Sequence, residues 1–414
     1  MATGLGKTWL SAFDSNRPEF KRILFVAHRE EILLQAEASF LKIHPSKKVG
    51  RYSGKQKDEE YDFLFASIQT IGQSTHLAKF PTAVFDYIVV DEFHHAAAGS
   101  YQRLLEHFTP SFLLGLTATP TRTDGSDILK LCDNNLIYQQ DLFDGVKAEA
   151  LCPFSYFGIF DKEVDYDHLP WRNGKFDPEK LSNKLATKGR AKHVLTEWKL
   201  KSQDVSLAFC VSRKHADYMA DYFNQQGITA ASVHSDSSLT RSEALEKLNN
   251  GDIKILFSVD LFNEGVDLPK IDTVLMLRPT ESKILFLQQM GRGLRKSEGK
   301  DRLIILDFVG NHHSFLNRPE MLFASILDGP QNRREMVDLA KNANKLLPDG
   351  CYVNFDLEFI DFLTSISQDE LDTQYDKLKD TLGRRPTYTE FYKSGASLEK
   401  LRRNRGSWWE FVDS

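Results

Sequence analysis

Along most of this chain, short apolar runs alternate with longer stretches of helical periodicity, and that alternation leaves few folds open. Ile23–Ala27 reads as a strand and Arg29–Leu41 as an amphipathic helix; Phe63–Ser67 and Tyr87–Val90 read as strands, Tyr101–His107 as a helix and Phe112–Leu116 as a strand. Strands separated by helices require right-handed crossovers, and so a mostly parallel sheet with helices on both faces. The rhythm breaks between about Asp141 and Gly189, where Pro153, Pro170 and Pro178, the aromatic cluster Phe154–Phe160 and the acidic stretch Asp161–Asp167 suggest a connector with a strand or two of its own. It then resumes. Ser206–Val211, Ala230–Val233, Lys254–Val259, Thr273–Leu277 and Arg302–Phe308 read as strands, with helices at Lys214–Gln226 and Arg241–Asn249. After Gly329 no strand is expected, and the tail to Ser414 reads as mostly helical. The expected class is therefore α/β, with two doubly wound parallel-sheet domains (1–140 and 191–328), a connector (141–190) and a helical C-terminal region (329–414).

The length of 414 residues, with 41% apolar and 27% charged, suits two to three soluble globular domains. No apolar run approaches the ~20 residues of a membrane span. The start carries no charged-then-apolar leader. Cys132, Cys152, Cys210 and Cys351 are scattered without CxxC or Cys/His spacing, which points to a reducing cytoplasm and away from structural zinc. A net charge of −5 advertises no global basic field for nucleic acid, although a narrow basic channel is compatible with it.

The chemistry sits at strand ends. In Met1–Leu10 (MATGLGKTWL), Thr3, Gly4 and Gly6 form a small-residue loop whose backbone N–H groups can converge on phosphate oxygens. Lys7 can then reach the terminal phosphates and Thr8 can hold Mg²⁺. The bland alternative is a glycine turn opening a helix, and Met1 stands where the usual pattern has its first glycine. Asp91 and Glu92 follow the strand Tyr87–Val90, placing one carboxylate to meet the metal and a second to activate water, where a solvated acidic turn is the rival reading. Thr117 and Thr119 follow the next strand and could couple to the acidic motif. Gln288, Arg292 and Arg295 lie in QQMGRGLR, with two arginines three apart whose planar groups suit phosphoryl transfer; alone, such a segment is more often a basic surface turn. Gly265 and Asp267 follow the strand Lys254–Val259 and place a carboxylate near the same edge.

In this order (GxGKT, DEFH, TAT, GVD, QxxGRGLR) the motifs resemble a superfamily 2 helicase core, in the DEAH-like branch that includes type III restriction subunits. The likeness covers nearly the whole chain. It implies two RecA-like domains closing on ATP and Mg²⁺, with Thr3, Gly4, Gly6, Lys7, Thr8, Gly265 and Asp267 at the nucleotide, and Thr8 and Asp91 at the metal. It also implies Glu92 as the base, Arg292 and Arg295 as arginine fingers with Gln288 near the γ-phosphate, and His94, Thr117 and Thr119 as coupling residues. Ala27-His28-Arg29, Ser67-Ile68-Gln69-Thr70 and Ser212-Arg213 resemble the motifs that grip nucleic-acid backbone, which assigns His28, Arg29, Gln69, Thr70, Ser212 and Arg213 to that task. Leu151-Cys152-Pro153-Phe154, Tyr156-Phe157-Gly158 and Trp171-Arg172 look like a bacterial subfamily with a C-terminal domain of unassigned function. Relatives there often carry a phospholipase-D-like nuclease domain upstream, which makes a nuclease domain or subunit an expected partner.

The expected function is an ATP-dependent helicase or translocase, with DNA favoured over RNA. The alternatives are a double-stranded DNA translocase of a restriction or defence system that never separates strands, and a nucleic-acid-binding fragment without turnover. In relatives an apolar strand precedes the phosphate loop, so the first sheet is expected to show a gap or an open edge where that strand belongs. In the tail, seven basic residues stand against two acidic ones between Arg384 and Arg405, ahead of Trp408 and Trp409. That is either a nucleic-acid contact or a solvated face over a Trp-anchored core.

Overall fold

The computed structural model describes residues 1–54, 56–118, 128–172, 175–262, 268–279, 282–323, 327, 333–367, 370–398, 401–402 and 407–413. Its strands are β1 (Ile23–Ala27), β2 (Val49–Ser53), β3 (Gln56–Lys57), β4 (Phe63–Ser67), β5 (Tyr87–Val90) and β6 (Phe112–Gly115) in the first sheet. Their order is β3-β2-β4-β1-β5-β6, and every pairing is parallel except the β2–β3 hairpin. β1, β4 and β5 are buried at every residue, as strands covered by helices on both faces should be. Parallel registers such as Val26↔Val90 and Val90↔Gly115 bring all the C-terminal strand ends to one edge. Residues 28–29, 68–70, 91–94 and 116–117 therefore share that edge, the usual place for a ligand in an open parallel sheet.

β6 pairs with β5 alone among the described residues, and only Leu114 of its four residues is buried. The first sheet thus has an open edge beside the phosphate loop. Met1 lies at the end of that edge, its ammonium donating to the Thr117 carbonyl at 3.1 Å.

The second sheet takes in more of the chain than the sequence suggests. It runs β11 (Ala230–Val233), β12 (Ile255–Ser258), β10 (Ser206–Phe209), β13 (Thr273–Met276), β14 (Leu303–Val309), β7 (Phe154–Phe160) and β15 (Tyr352–Phe355), all parallel. β7 comes from the expected connector and pairs with β14 along its whole length, from Leu303↔Phe154 to Val309↔Phe160. Its aromatic run lies between β14 and β15 inside the sheet. β15 overturns the expectation of a strandless tail. With β8 (Trp171–Arg172) and β9 (Lys175–Phe176) forming a separate hairpin, one apolar core continues from Leu142 to Leu363. The reason is local: Tyr352 and Asn354 point outward while Val353 and Phe355 are buried, an alternation too short to register against the helical stretches around it.

Two fully buried ion pairs brace this domain. Arg190 Nε donates to Asp161 at 2.8 Å, and Arg318 Nε lies 3.3 Å from Asp307. Tyr166 and Tyr156 each donate a hydroxyl to the respective carboxylate, at 2.8 and 2.7 Å.

Candidate nucleotide site

The phosphate loop depends on glycine backbone. Gly4 and Gly6 take φ of 94° and 78°, in the left-handed region that side chains disfavour. Gly6 leads directly into the helix Lys7–Asp14, and no side chain caps that helix start. Its N–H groups therefore face the loop's concavity, as an anion-binding terminus requires. The loop is held from both sides: Ala2 N donates to Gln140 O at 2.8 Å, and Lys7 Nζ donates to Met1 O at 3.3 Å.

Beyond the loop, Asp91 and Glu92 follow β5 and are both buried. Asp91 N donates to Val26 O at 2.9 Å, and Glu92 N donates to the Asp91 carboxylate at 2.9 Å. Glu92 adopts φ 49°, an uncommon conformation for a residue with a side chain. Burial, and then the charge of Glu92, push the Asp91 carboxyl up to about 7, while Lys7 and His28 pull it back. A cation beside Asp91 would relieve that penalty. The groups expected at the metal, the Thr8 hydroxyl and the Asp91 carboxylate, are oxygen donors of the kind that suits Mg²⁺.

Two of the residues expected to couple, His94 and Thr117, also meet. His94 Nδ1 lies 3.3 Å from the Thr117 hydroxyl and 3.3 Å from the Glu92 carboxylate. Phe93 N donates to Leu116 O at 2.8 Å, tying the acidic turn to the end of β6. Thr119, Gly265 and Asp267 lie outside the described residues.

The second domain closes the site from the other side. Gln288 and Arg292 are buried at the end of the helix Lys283–Gly291, where Arg292 Nε donates to Gln288 O at 3.3 Å. A Cβ on Gly291 would stand 2.5 Å from Thr3 Cβ, and one on Gly4 would stand 3.4 Å from Arg295 Cγ. The phosphate loop and the arginine segment are therefore in direct contact, although 284 positions separate Gly291 from the start of the helix at Lys7. Leu151 and Cys152 sit at the same junction. Leu151 forms a β-bridge with Arg295, Cys152 N donates to Leu294 O at 2.8 Å, and a Cβ on Gly4 would lie 3.1 Å from Leu151.

The residues assigned to nucleic acid divide in two. His28, Arg29 and Gln69 share one edge of the first sheet, with Gln69 Nε2 donating to His28 O at 2.7 Å. Thr70 and Ser212 spend their hydroxyls inside the protein. The Thr70 oxygen accepts from Ser67 and from Gly54 N at 3.0 and 3.2 Å. Ser212 caps the helix Arg213–Gln225 by accepting from His215 N at 3.1 Å, and it also bonds Ser182. Arg213 pairs with Asp236. Sequence reasoning missed Arg241, which crosses from the second domain to Glu31 of the first at 2.8 Å and stacks over Phe262 at 5.4 Å. No motif signals that pair, because it depends on how the domains face each other.

Comparison with known proteins agrees with this architecture. Residues 1–122 match the family described as "Type III restriction enzyme, res subunit", and residues 189–297 match "Helicase conserved C-terminal domain". A Saccharomyces cerevisiae protein named as an ATP-dependent helicase, IRC3, is 32% identical over 333 residues, which is 75% of this chain and 48% of that protein. A structure assigned to the HsdR subunit of a type I restriction enzyme from Vibrio vulnificus YJ016 is 27% identical with a TM-score of 0.52, covering 70% of this chain and 53% of that one. The type ISP restriction-modification enzyme LlaBIII, solved bound to DNA, matches the fold alone, at 17% identity and a TM-score of 0.58, over 99% of this chain and 35% of its own. The chain spans about half the length of the curated relatives it matches.

Proposed function

Since this chain belongs to the superfamily 2 helicases, in the branch of the type III restriction res subunits, we propose that it hydrolyses ATP between its two RecA-like domains and uses the cycle to move along nucleic acid, DNA in preference to RNA. The observation that carries this reading is the contact of the phosphate loop at Thr3 and Gly4 with the arginine segment at Gly291 and Arg295.

In this reading the loop N–H groups and Lys7 hold the phosphates of ATP. Mg²⁺, held by Thr8 and Asp91, supplies charge neutralisation there when bound. Glu92 accepts a proton from the attacking water as its oxygen bonds to the γ-phosphorus and the bond to the ADP oxygen breaks. Arg292 and Arg295 stabilise the charge that develops, and they reach it only from the closed arrangement. Gln288, Gly265 and Asp267 complete the second-domain side. His94, Thr117 and Thr119 pass the phosphate state to the edge where His28, Arg29 and Gln69 meet nucleic acid. Thr70, Ser212 and Arg213 support that edge, the first two through the backbone they anchor.

The test is nucleic-acid-stimulated ATP hydrolysis by Lys7→Ala and Glu92→Gln, each expected to lose turnover by ~100-fold or more. Retained turnover in either variant would sink the assignment. The restriction enzymes among its neighbours favour a second reading, movement on duplex DNA without strand separation. Triplex displacement with no strand displacement would select it. They also suggest a nuclease domain or subunit as partner. Among the described residues no helix is long and apolar enough to cross a membrane, and all four cysteines are free. The free cysteines support a cytoplasmic setting.

A further inference from the structure

The last unit of the chain has a core of its own. Leu371, Phe391, Ala396, Leu401 and Phe411 are buried together, with Tyr375, Leu378, Trp408 and Val412 packed around them. The helices Glu370–Leu382, Tyr388–Lys393 and Trp408–Asp413 frame this core. The middle helix is well started: Thr387 Oγ1 accepts from Glu390 N at 3.3 Å, and the Glu390 carboxylate accepts from Thr387 N at 2.8 Å. Arg384 grips the same carboxylate through two bonds of 3.0 and 2.6 Å.

A tight turn ends that helix. The chain leaves it at Ser394, Gly395 takes φ 91°, and the backbone is helical again at Leu398, Leu401 and Arg402. Leu401 N donates to Ser397 O at 3.0 Å. Two short helices joined by a tight glycine-containing turn is the arrangement of a helix-turn-helix unit, whose second helix enters the major groove. Phe391 and Leu401 face the small core, while Lys393 and Arg402 are exposed. Lys400, Arg403 and Arg405 belong to the same stretch of sequence. One of the two acids there, Glu390, is already neutralised by Arg384. The helix Glu370–Leu382 carries the opposite bias, with Glu370, Asp372, Asp376 and Asp380 against Lys377 and Lys379. Positive charge in the sequence is thus concentrated between Lys393 and Arg405, as a phosphate-facing surface requires. The neighbouring aromatics Tyr392 and Trp409 are 58% and 71% exposed.

We propose that this C-terminal unit is a helix-turn-helix module that docks duplex DNA outside the nucleotide cleft, with Lys393 and Arg402 on backbone phosphates. The choice of partner rests on the nucleic-acid reading above; the surface itself does not involve the ATP site. Duplex binding by the full chain without nucleotide, followed by fluorescence anisotropy across a salt series, tests it. Removing both cations in Lys393→Gln/Arg402→Gln should lower the slope of log K against log salt by about 2, and each single variant by about 1. The control Lys377→Gln/Lys379→Gln, on the acidic helix, should keep the parent slope. An unchanged slope in the first pair, an equal loss in the control, or a loss confined to single-stranded DNA of the same length would each overturn the proposal. Equal thermal midpoints exclude unfolding as the cause. Lys7→Ala separates the two readings, because it tests turnover and leaves this comparison of slopes intact.

Discussion

Gly291 offers a direct perturbation of domain closure. A methyl group there would stand 2.5 Å from Thr3 Cβ and 2.9 Å from Thr3 Cγ2, whereas carbon atoms in contact sit about 3.5–4.0 Å apart. Relief requires the two segments to part by roughly 1 Å, and they belong to different domains, so the cleft opens. Overpacking of this kind costs about 1–3 kcal/mol. Charged to the closed state alone, that is a loss of about 5- to 150-fold in kcat/KM for ATP. Stability should move the other way or not at all, because Gly291 ends a helix and alanine favours helix by up to ~1 kcal/mol. The expected signature of Gly291→Ala is therefore an equal or higher thermal midpoint with depressed nucleic-acid-stimulated ATP hydrolysis. Repeating the substitution in a Thr3→Gly background removes every Thr3 atom in the clash, and the further loss should shrink to within about 2-fold. Full turnover by Gly291→Ala, or an undiminished loss in the Thr3→Gly background, would refute the claim that this contact belongs to the working closed state.

Two other outcomes concern the second domain. Asp161→Ala strands the fully buried Arg190 guanidinium and should cost about 3–5 kcal/mol in denaturant unfolding followed by circular dichroism, while Asp161→Leu with Arg190→Met should recover most of it; a loss below about 1 kcal/mol would mean the pair carries no such charge penalty. His312 is held down to about 3 by burial and then by the charge of His313, and its Nδ1 accepts from Ser314 N at 3.2 Å, which only the neutral ring can do. Its folded pKa lies below its unfolded value, so its contribution is whole above pH ~6.5 and is lost as pH falls through that value toward 3. His312→Asn keeps an acceptor without the titration and should flatten the dependence of the unfolding midpoint between about pH 7 and 5; an unchanged slope would count against the assignment.

The candidate site was legible where it depends on local pattern. Asp91, Glu92 and His94 follow a buried parallel strand, and any such strand delivers its C-terminal residues to the same edge as its neighbours. Gly4 and Gly6 were legible because only glycine accepts their backbone cheaply. Thr70 and Ser212 matched motifs yet spend their hydroxyls on Gly54 and His215, a use that depends on neighbours brought in by the fold. The place of β7 in the second sheet and the existence of β15 were hidden for a related reason: their partners lie far off in sequence, and strand preference reflects those partners more than the strand's own residues.

From sequence alone come the candidate reactive groups, their order, and the parallel-sheet scaffold that lines them up, since each of these depends on spacing within about ten residues. Tertiary structure alone decides that Gly291 meets Thr3 and that Arg241 reaches Glu31. Those contacts join surfaces of two separately packed bodies. They are set by how the bodies fit together, and periodicity along one chain carries no record of that fit.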